Sequence, residues 1–221
     1  LDLVRAKRID GLILIDAPGD DPAVQRLAQD NFPIVTLGYN HPSLCAVDAD
    51  NREGARQAVE HLLAQGHRRI GCITNSPRTA TDPNIRLLGY QDALLSAGIA
   101  IDKQLIVEGL YSPESGFVAM QHLLDAPQHP TAVFVASDVV AFGALHAIQV
   151  RGLAVPRDIA VVGFDDVPLA RYANPPLTTV RMPTVEMGRR AGELLFDQIK
   201  GRPIEPVELL ATELIVRASS C

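Results

Sequence analysis

The chain has 221 residues, of which 47% are hydrophobic and 21% are charged, and its formal net charge is −6 at pH 7. That length and composition are ordinary for a globular protein of one large domain or two small ones. They exclude a strongly basic nucleic-acid-binding surface, because 20 Lys and Arg residues are scattered among 26 Asp and Glu residues.

The cysteines and the apolar runs argue against a disulfide-rich, a zinc-binding and a membrane-spanning protein. Cys45, Cys72 and Cys221 lack CxxC or His/Cys metal spacing, so they predict neither a disulfide framework nor a zinc site and fit a reducing cytoplasm. The apolar run from Gly11 to Ile15 is too short to span a bilayer, and no signal sequence opens the chain. Because the chain starts at Leu1 inside a helix-like pattern, we expect a fragment of a longer protein.

Apolar runs rich in Val and Ile alternate along the chain with segments of helical period. This alternation is typical of an α/β fold in which helices cover both faces of a parallel sheet. The predicted strands are Gly11 to Ile15, Ile34 to Leu37, Arg69 to Thr74, Leu105 to Glu108, Ala132 to Ala136 and Ile159 to Phe164.

Start and stop signals bound the predicted helices. The clearest helix begins at Asp50, with Glu53 three residues on as in a capping box, and Gly66 stands at its C-terminal end. No internal repeat, low-complexity tract or Gly/Ser linker marks a domain boundary. The other predicted helices run from Ile85 to Ala97, from Ser112 onward, from Asp138 to Arg151 and from Pro183 to Gly201.

Polar residues follow the predicted strands at the points where the strands end. In an open parallel sheet, ligands bind beyond the carboxyl ends of the strands. These residues predict a polar mouth that suits a ligand with many hydroxyl or amide groups. They are Asp16, Asn75, Ser137, Asp138, Asp165 and Asp166.

Several of these positions also have a purely structural interpretation. Asp138 starts a predicted helix and is equally a candidate N-cap, and Asp16 is of a type common in turns. Asp165 directly follows a buried strand, where a carboxylate costs free energy unless it is paired. Arg86 is a candidate partner for a ligand or for that carboxylate, although an arginine at the start of an amphipathic helix is more often a solvated surface residue.

The sequence lacks the common motifs of catalysis. It has no P-loop, no GxGxxG after the first strand, no HExxH and no GxSxG. Asp165 and Asp166 are adjacent, but neighbouring side chains of an extended strand point to opposite faces, which argues against a shared acid/base or metal site. We therefore predict that the chain is not an enzyme and uses no metal and no cofactor.

Five long segments carry a combined pattern. They are VDADNREGARQAVEHLLAQGHRRIGCI from Val47, IRLLGYQDALLSAGI, PTAVFVASDVVAFGALHAIQVRGLAVPRDIAVVGFDD, PPLTTVRMPTVEMGRRAGELLFDQI and the terminal LIVRAS. In order and spacing they resemble the effector-binding core of lactose-repressor (LacI-type) transcriptional regulators, and the resemblance covers essentially the whole chain.

The resemblance implies a bilobal fold like that of periplasmic sugar-binding proteins, each lobe a parallel sheet flanked by helices. One lobe would comprise residues 1–49 and 182–208, and would be incomplete at its N-terminus. The other lobe would comprise residues 50–181 and 209–221. The ligand is expected in the cleft between the lobes, and the family's DNA-binding headpiece is expected to be missing from this chain.

The resemblance also implies roles for particular residues. Arg86 matches the family's arginine that holds ligand oxygens, and Asp165, the first aspartate of GFDD, matches a carboxylate that accepts hydrogen bonds from the ligand. Tyr111 matches a position that often carries an aromatic ring against the ligand, with loop packing as the alternative. Ser137 stands where many members carry Asn, which changes the hydrogen-bonding pattern, and Asp166 is expected to be a cap or loop residue.

Together these features predict the effector-binding and dimerisation domain of a LacI-type regulator, expected to be a repressor, that senses a small polar metabolite such as a sugar. The expected partners are this effector, operator DNA through the missing headpiece, and a second copy of the chain, with no membrane. The alternative is a solute-binding protein of a sugar transport system. Cytoplasmic localisation follows from the regulator hypothesis.

Overall fold

The computed structural model describes residues 8–15, 21–38, 44–75, 85–205 and 207–221. The strands among them are β1 Leu12–Ile15, β2 Ile34–Leu37, β3 Cys45–Ala49, β4 Ile70–Ile73, β5 Ile106–Val107, β6 Ala132–Val135, β7 Ala160–Asp165, β8 Thr178–Arg181, β9 Val207–Leu210 and β10 Glu213–Ile215. The α-helices are α1 Pro22–Gln29, α2 Asn51–Ala64, α3 Ile85–Ser96, α4 Pro113–Leu124, α5 Asp138–Val150 and α6 Thr184–Ile199.

The chain divides into two compact units. The smaller comprises Leu1–Asp50 and Pro183–Ala211, and the larger comprises Asn51–Met182 and Thr212–Cys221. The chain therefore passes between the units after residues 50, 182 and 211, where the sequence predicted boundaries after residues 49, 181 and 208. The third passage lies three residues later than predicted because β9 pairs with β3 as far as Leu210.

The smaller unit contains a parallel sheet in the order β1-β2-β3-β9. Helix α1 was not predicted, although its start carries a clear signal: Asp21 accepts a hydrogen bond from the Ala23 amide at 2.7 Å, and Pro22 occupies the first turn. Val24 and Leu27 of this helix pack with Ile34 of β2 in a small hydrophobic cluster. On another side of the unit, Gln198 of α6 donates a hydrogen bond to the Ile34 carbonyl.

The larger unit contains a sheet in the order β10-β8-β7-β6-β4-β5, parallel except for β10, which runs antiparallel to β8. Side chains of β6 alternate between its two faces, so that Val133 and Val135 join one hydrophobic cluster and Ala132 and Phe134 join the other. Helices α4 and α5 cover the first cluster, and α2 and α3 cover the second. The predicted α/β class with parallel sheets between helices is confirmed.

The helices that cover the second cluster touch backbone to backbone. A Cβ atom at Gly89 of α3 would lie 2.1 Å from the Arg52 carbonyl oxygen of α2. Only a residue without a side chain permits this approach. The close contact brings the first turn of α3, which carries Arg86, against the first turn of α2, which carries Asn51.

The six predicted strands are all present within one or two residues of the expected bounds, but β3, β8, β9 and β10 were not among the predicted strands. Two of these four, β3 and β9, are short and contain an acidic residue, Asp48 in β3 and Glu208 in β9, which obscures a period-2 pattern. Asp48 is nevertheless buried, and its carboxylate accepts a hydrogen bond from the Ala49 amide at 2.7 Å. Glu208 forms an ion pair with Arg190 of α6. Hydrogen bonding and ion pairing thus stabilise two charged side chains whose presence made a strand hard to recognise in the sequence.

Candidate ligand-binding site

The centre of the candidate site is an ion pair at the carboxyl end of β7. An Nη1 hydrogen of Arg86 is donated to Oδ1 of Asp165 at 3.0 Å, and the two side chains are 13% and 25% exposed. The guanidinium also stacks over the ring of Phe164, with its central carbon 3.8 Å from the ring centroid, a favourable cation–π geometry. The pair is therefore held firmly in place and remains partly exposed.

The remaining donors of Arg86 reach three other segments of the larger unit. Nε donates to Oδ1 of Asn51 at 2.9 Å, Nη1 donates to the carbonyl oxygen of Ala136 at 2.5 Å, and Nη2 donates to the sulfur of Met182 at 3.2 Å. This fork of fixed donors orients the guanidinium plane. Asn51 and Met182 are also the first and last residues of the larger unit's main segment.

The backbone at the end of β7 is unusual. Asp165 has a φ of 114° and Asp166 a φ of 55°, a region that residues with a side chain occupy only at a cost of roughly 1–3 kcal/mol each. Two such residues in succession persist only where surrounding contacts determine them. The strained turn directs consecutive carboxylates to different partners.

Asp166 is a buried ion-paired residue. Its carboxylate accepts hydrogen bonds from Arg217 at 2.6 Å and from Arg181 at 2.8 Å, and only 4% of the side chain is exposed. Burial alone would raise the pKa of this carboxyl, but the two guanidinium groups outweigh it and hold the pKa below its usual value. Asp166 lies in the loop after β7, as expected, and from there its charge network ties β7 to β8 and to the C-terminal segment.

Asp138 was predicted to line the site, but the structure gives it other partners. The residue is fully buried, Oδ1 accepts from the Thr179 hydroxyl at 2.6 Å, and Oδ2 accepts from the Val167 amide at 2.9 Å. Its alternative role as an N-cap is wrong, since Ser137 is the N-cap residue of α5. Burial raises the pKa of Asp138 to about 7 against the opposing effect of these two hydrogen bonds, and the negative charges of Asp165 and Asp166 raise it further.

The other predicted site residues differ in how exposed their side chains are. Ser137 is 5% exposed, and its hydroxyl makes no cap hydrogen bond; it directly follows Ala136, the carbonyl partner of Arg86. Tyr111 follows β5, is 64% exposed and has a φ of 53°, so it is not packed into a loop core. Asp16 lies outside the described residues.

Three residues of the site were missed by sequence reasoning. Asn51 looks like part of a helix start, Phe164 like a core residue of a strand, and Met182 like a spacer before Pro183. Each becomes part of the site only through contact with Arg86. Only Phe164 had a usable signal, since it immediately precedes the predicted ligand carboxylate and strand ends line the mouth of such sheets.

Two features are absent from the ranges that the structure describes. No three His, Cys, Asp or Glu side chains there are grouped in a way that could hold a metal ion. In the same residues, no helix combines the length and apolar character needed to cross a membrane.

Comparison with known proteins assigns this arrangement to a class. The model of the family described as "Periplasmic binding protein-like domain" matches residues 59–220. A solved structure of a regulatory protein of the LacI family from Chloroflexus aggregans superposes with a TM-score of 0.91 at 40% identity, covering 100% of this chain and 80% of that one. The structure of the transcriptional regulator CelR in complex with cellobiose superposes with a TM-score of 0.91 at 41% identity, covering 99% and 68%.

Curated relatives agree with the solved structures. The transcriptional regulator CelR of Thermobifida fusca is 42% identical over 218 residues, and the transcriptional repressor CytR of Escherichia coli K12 is 41% identical over 225 residues. The matches cover 96% and 100% of this chain but only 64% and 65% of those proteins. The fold and site thus define a periplasmic binding protein-like domain.

The chain belongs to the LacI family of transcriptional regulators. The predicted resemblance is confirmed, and so is the prediction of a non-enzymatic domain, because the relatives are regulators of transcription. The transport alternative is not favoured, since both curated relatives are named as HTH-type regulators.

Proposed function

We propose that this chain is the effector-binding domain of a LacI-type repressor and that its effector binds at the carboxyl ends of the strands of the larger unit. The observation that carries the proposal is the Arg86–Asp165 pair, stacked on Phe164 and still partly exposed. A guanidinium donor beside a carboxylate acceptor suits a ligand that both donates and accepts hydrogen bonds. Arg86 and Asp165 are therefore the first two ligand contacts that we propose.

The chemistry of the site favours a polyhydroxylated ligand. The free lone pairs of the Asp165 carboxylate can accept hydrogen bonds from ligand hydroxyl groups. The remaining N–H group of Arg86 Nη2 can donate a hydrogen bond to a ring or hydroxyl oxygen of the ligand. The exposed ring of Tyr111 offers an apolar face of the kind on which a sugar ring stacks. The structure of the relative CelR in complex with cellobiose supports a sugar as the ligand class.

We propose repression of transcription for the whole protein. This chain spans 64–65% of the length of its curated relatives. Operator DNA would bind to a headpiece outside this chain, in a cytoplasmic homodimer. A ligand that binds one conformational state more tightly changes operator affinity by its difference in binding free energy between the states. Control of transcription therefore needs no chemistry at the site.

A thermal-shift screen tests the ligand site. Wild type, Asp165→Asn and Arg86→Ala are heated with cellobiose, other sugars, sugar phosphates, polyols and nucleobases over a range of concentrations. Arg52→Ala is the matched control, because Arg52 forms a comparable but exposed ion pair with Asp92 in the same unit. A ligand that binds only the folded state raises the Tm with concentration.

The expected result is a concentration-dependent rise in Tm for one compound class with wild type and Arg52→Ala. The rise should disappear, or need at least tenfold more ligand, with the two site variants, since Asp165→Asn removes the charge of the acceptor and Arg86→Ala removes the donor group entirely. A compound that stabilises all four proteins equally would show that the ligand binds elsewhere, and the proposed site would be rejected.

A further inference from the structure

Asp138 is a predicted ligand residue whose side chain is fully buried, and its contacts suggest a different use. Its carboxylate lies directly against the backbone of β7, because a Cβ atom at Gly163 would be 2.3 Å from Oδ1. Burying a carboxylate in this way is costly unless its hydrogen bonds are satisfied. The contacts that satisfy it all lead to the turn that presents Asp165.

Two consecutive amides of that turn depend on Asp138. The Val167 amide donates directly to Oδ2 at 2.9 Å. The Thr179 hydroxyl donates to Oδ1 at 2.6 Å and in turn lies 3.4 Å from the Asp166 amide, from which it accepts. The carboxylate thus holds the two peptide groups that immediately follow Asp165, one of them through Thr179.

The turn needs such a restraint. Asp165 and Asp166 both have positive φ, and without outside contacts each would relax to the extended conformation of an ordinary strand end. In the extended conformation, the Asp165 carboxylate would leave the position 3.0 Å from Arg86. The charge network of Asp166 restrains the following side chain, whereas Asp138 restrains the backbone itself.

We propose that Asp138 is a positioning residue: it does not contact the effector but holds the strained turn that keeps the Asp165 carboxylate on Arg86. The inference rests on the proposed ligand site and deepens it, since it names a residue on which that site depends. A planar side chain with two polar atoms can serve a backbone amide and a hydroxyl at once, as the Asp138 side chain does here.

The test uses NMR on the ligand-free chain, so it can fail independently of the ligand screen. The first readout is the coupling between the amide and α protons of Asp165, which is small near the observed φ of 114° and large in an extended strand. The second readout is the set of guanidinium signals of Arg86, with Asp165→Ala as the reference for a broken contact, because alanine leaves no acceptor at this position.

Three variants are compared with wild type. Asp138→Ala removes both acceptors and is expected to convert the Asp165 coupling to the extended value and to move the Arg86 signals to those of Asp165→Ala. Asp138→Asn can still accept from the Val167 amide and donate to Thr179, so both readouts should stay as in wild type. Ser219→Ala, the stability control, loses buried bonds to Thr178 and Val161 away from the turn and should also leave both readouts unchanged.

A folded Asp138→Ala protein with the wild-type coupling and wild-type Arg86 signals would overturn the proposal, and so would an equal change in Ser219→Ala. If Asp138→Ala does not fold, the same coupling is measured in Thr179→Val to test the proposal. It is close to isosteric and removes the hydroxyl between Asp138 and the Asp166 amide. Loss of the small coupling in Thr179→Val supports the proposal, and its retention overturns it.

Discussion

At the scale of single residues, the adjacent carboxylates Asp165 and Asp166 act in different environments. Asp165 is paired with Arg86 and partly exposed, while Asp166 is buried between Arg181 and Arg217. The alternation of side chains along an extended strand predicted this separation from the sequence, whereas in the structure the two residues have positive φ and form a turn. It did not predict that the second carboxylate would be the more deeply buried one.

Replacing Asp166 should lower the free energy of unfolding substantially. Asp166→Asn leaves Arg217, whose side chain is 14% exposed, without its counter-charge, and breaking a buried pair on one side costs about 3–5 kcal/mol. Urea unfolding would measure the loss. Asp125→Asn is the matched control, because Asp125 is 64% exposed in its ion pair with Arg151 and should cost less than about 1 kcal/mol. Equal costs for both variants would contradict the assigned burial.

Asp138 should make stability depend on pH. Its pKa is raised from 3.8 to about 7, chiefly by burial and further by Asp165 and Asp166, so the neutral form favours folding. The stability linked to this group is fully present below its unfolded pKa of 3.8 and is lost as the pH rises through about 7. Asp138→Asn cannot ionise and should lose less stability than wild type between pH 5 and pH 8.

The measurement is the free energy of unfolding by urea at several pH values for both proteins. His61 and His67, whose pKa values are lowered by burial, contribute the opposite slope in the same range, and they cancel in the difference between the two profiles. Parallel profiles would mean that Asp138 is ionised in the folded protein at all these pH values.

At the scale of helices and strands, the site depends on how closely α3 approaches α2. Gly89→Ala would place a Cβ atom 2.1 Å from the Arg52 carbonyl oxygen, so α3 must move away and carry Arg86 from Asn51. We expect a loss of about 1–3 kcal/mol in stability from overpacking together with weaker ligand binding.

Gly188→Ala in α6 is the control for Gly89→Ala, because nothing lies within 4 Å of the added atom. This variant should gain roughly 0.5–1 kcal/mol from helix propensity. Denaturant midpoints and the thermal-shift response to ligand measure both effects. Unchanged ligand binding in a destabilised Gly89→Ala protein would show that the position of α3 is not what sets Arg86.

At the scale of the whole molecule, the proposed regulation is a linkage between two binding sites of the full-length protein. The ligand should change operator affinity by a factor of about 5–150, and operator should change ligand affinity by the same factor. Asp165→Asn in the full-length protein should abolish the ligand effect and leave unliganded operator binding intact. Fluorescence anisotropy with labelled operator at fixed salt would measure both.

The isolated 221-residue chain is the natural control for these experiments. With a net charge of −6 and no basic stripe in its sequence, it should give no specific shift of operator DNA. A specific shift with this chain alone would contradict the assignment of DNA binding to a headpiece outside it.

The sequence by itself determined the class of fold and the centre of the candidate site. Alternating Val/Ile runs and helical segments encode a parallel sheet between helices, because those periods reflect which faces are buried. Asp165 could be found because a carboxylate directly after a buried strand is anomalous, and Arg86 because of the motif in which it stands. Both inferences use only residues close together in the chain.

The tertiary structure alone decided which polar residues are paired within the protein framework. Asp138 bonds Thr179, 41 residues away, and Asp166 bonds Arg217, 51 residues away, so neither role is visible in a local pattern. The same holds for β9, which becomes a strand by pairing with β3. A polar side chain carries no period that reveals its partner, and its burial is decided when distant segments of the chain meet.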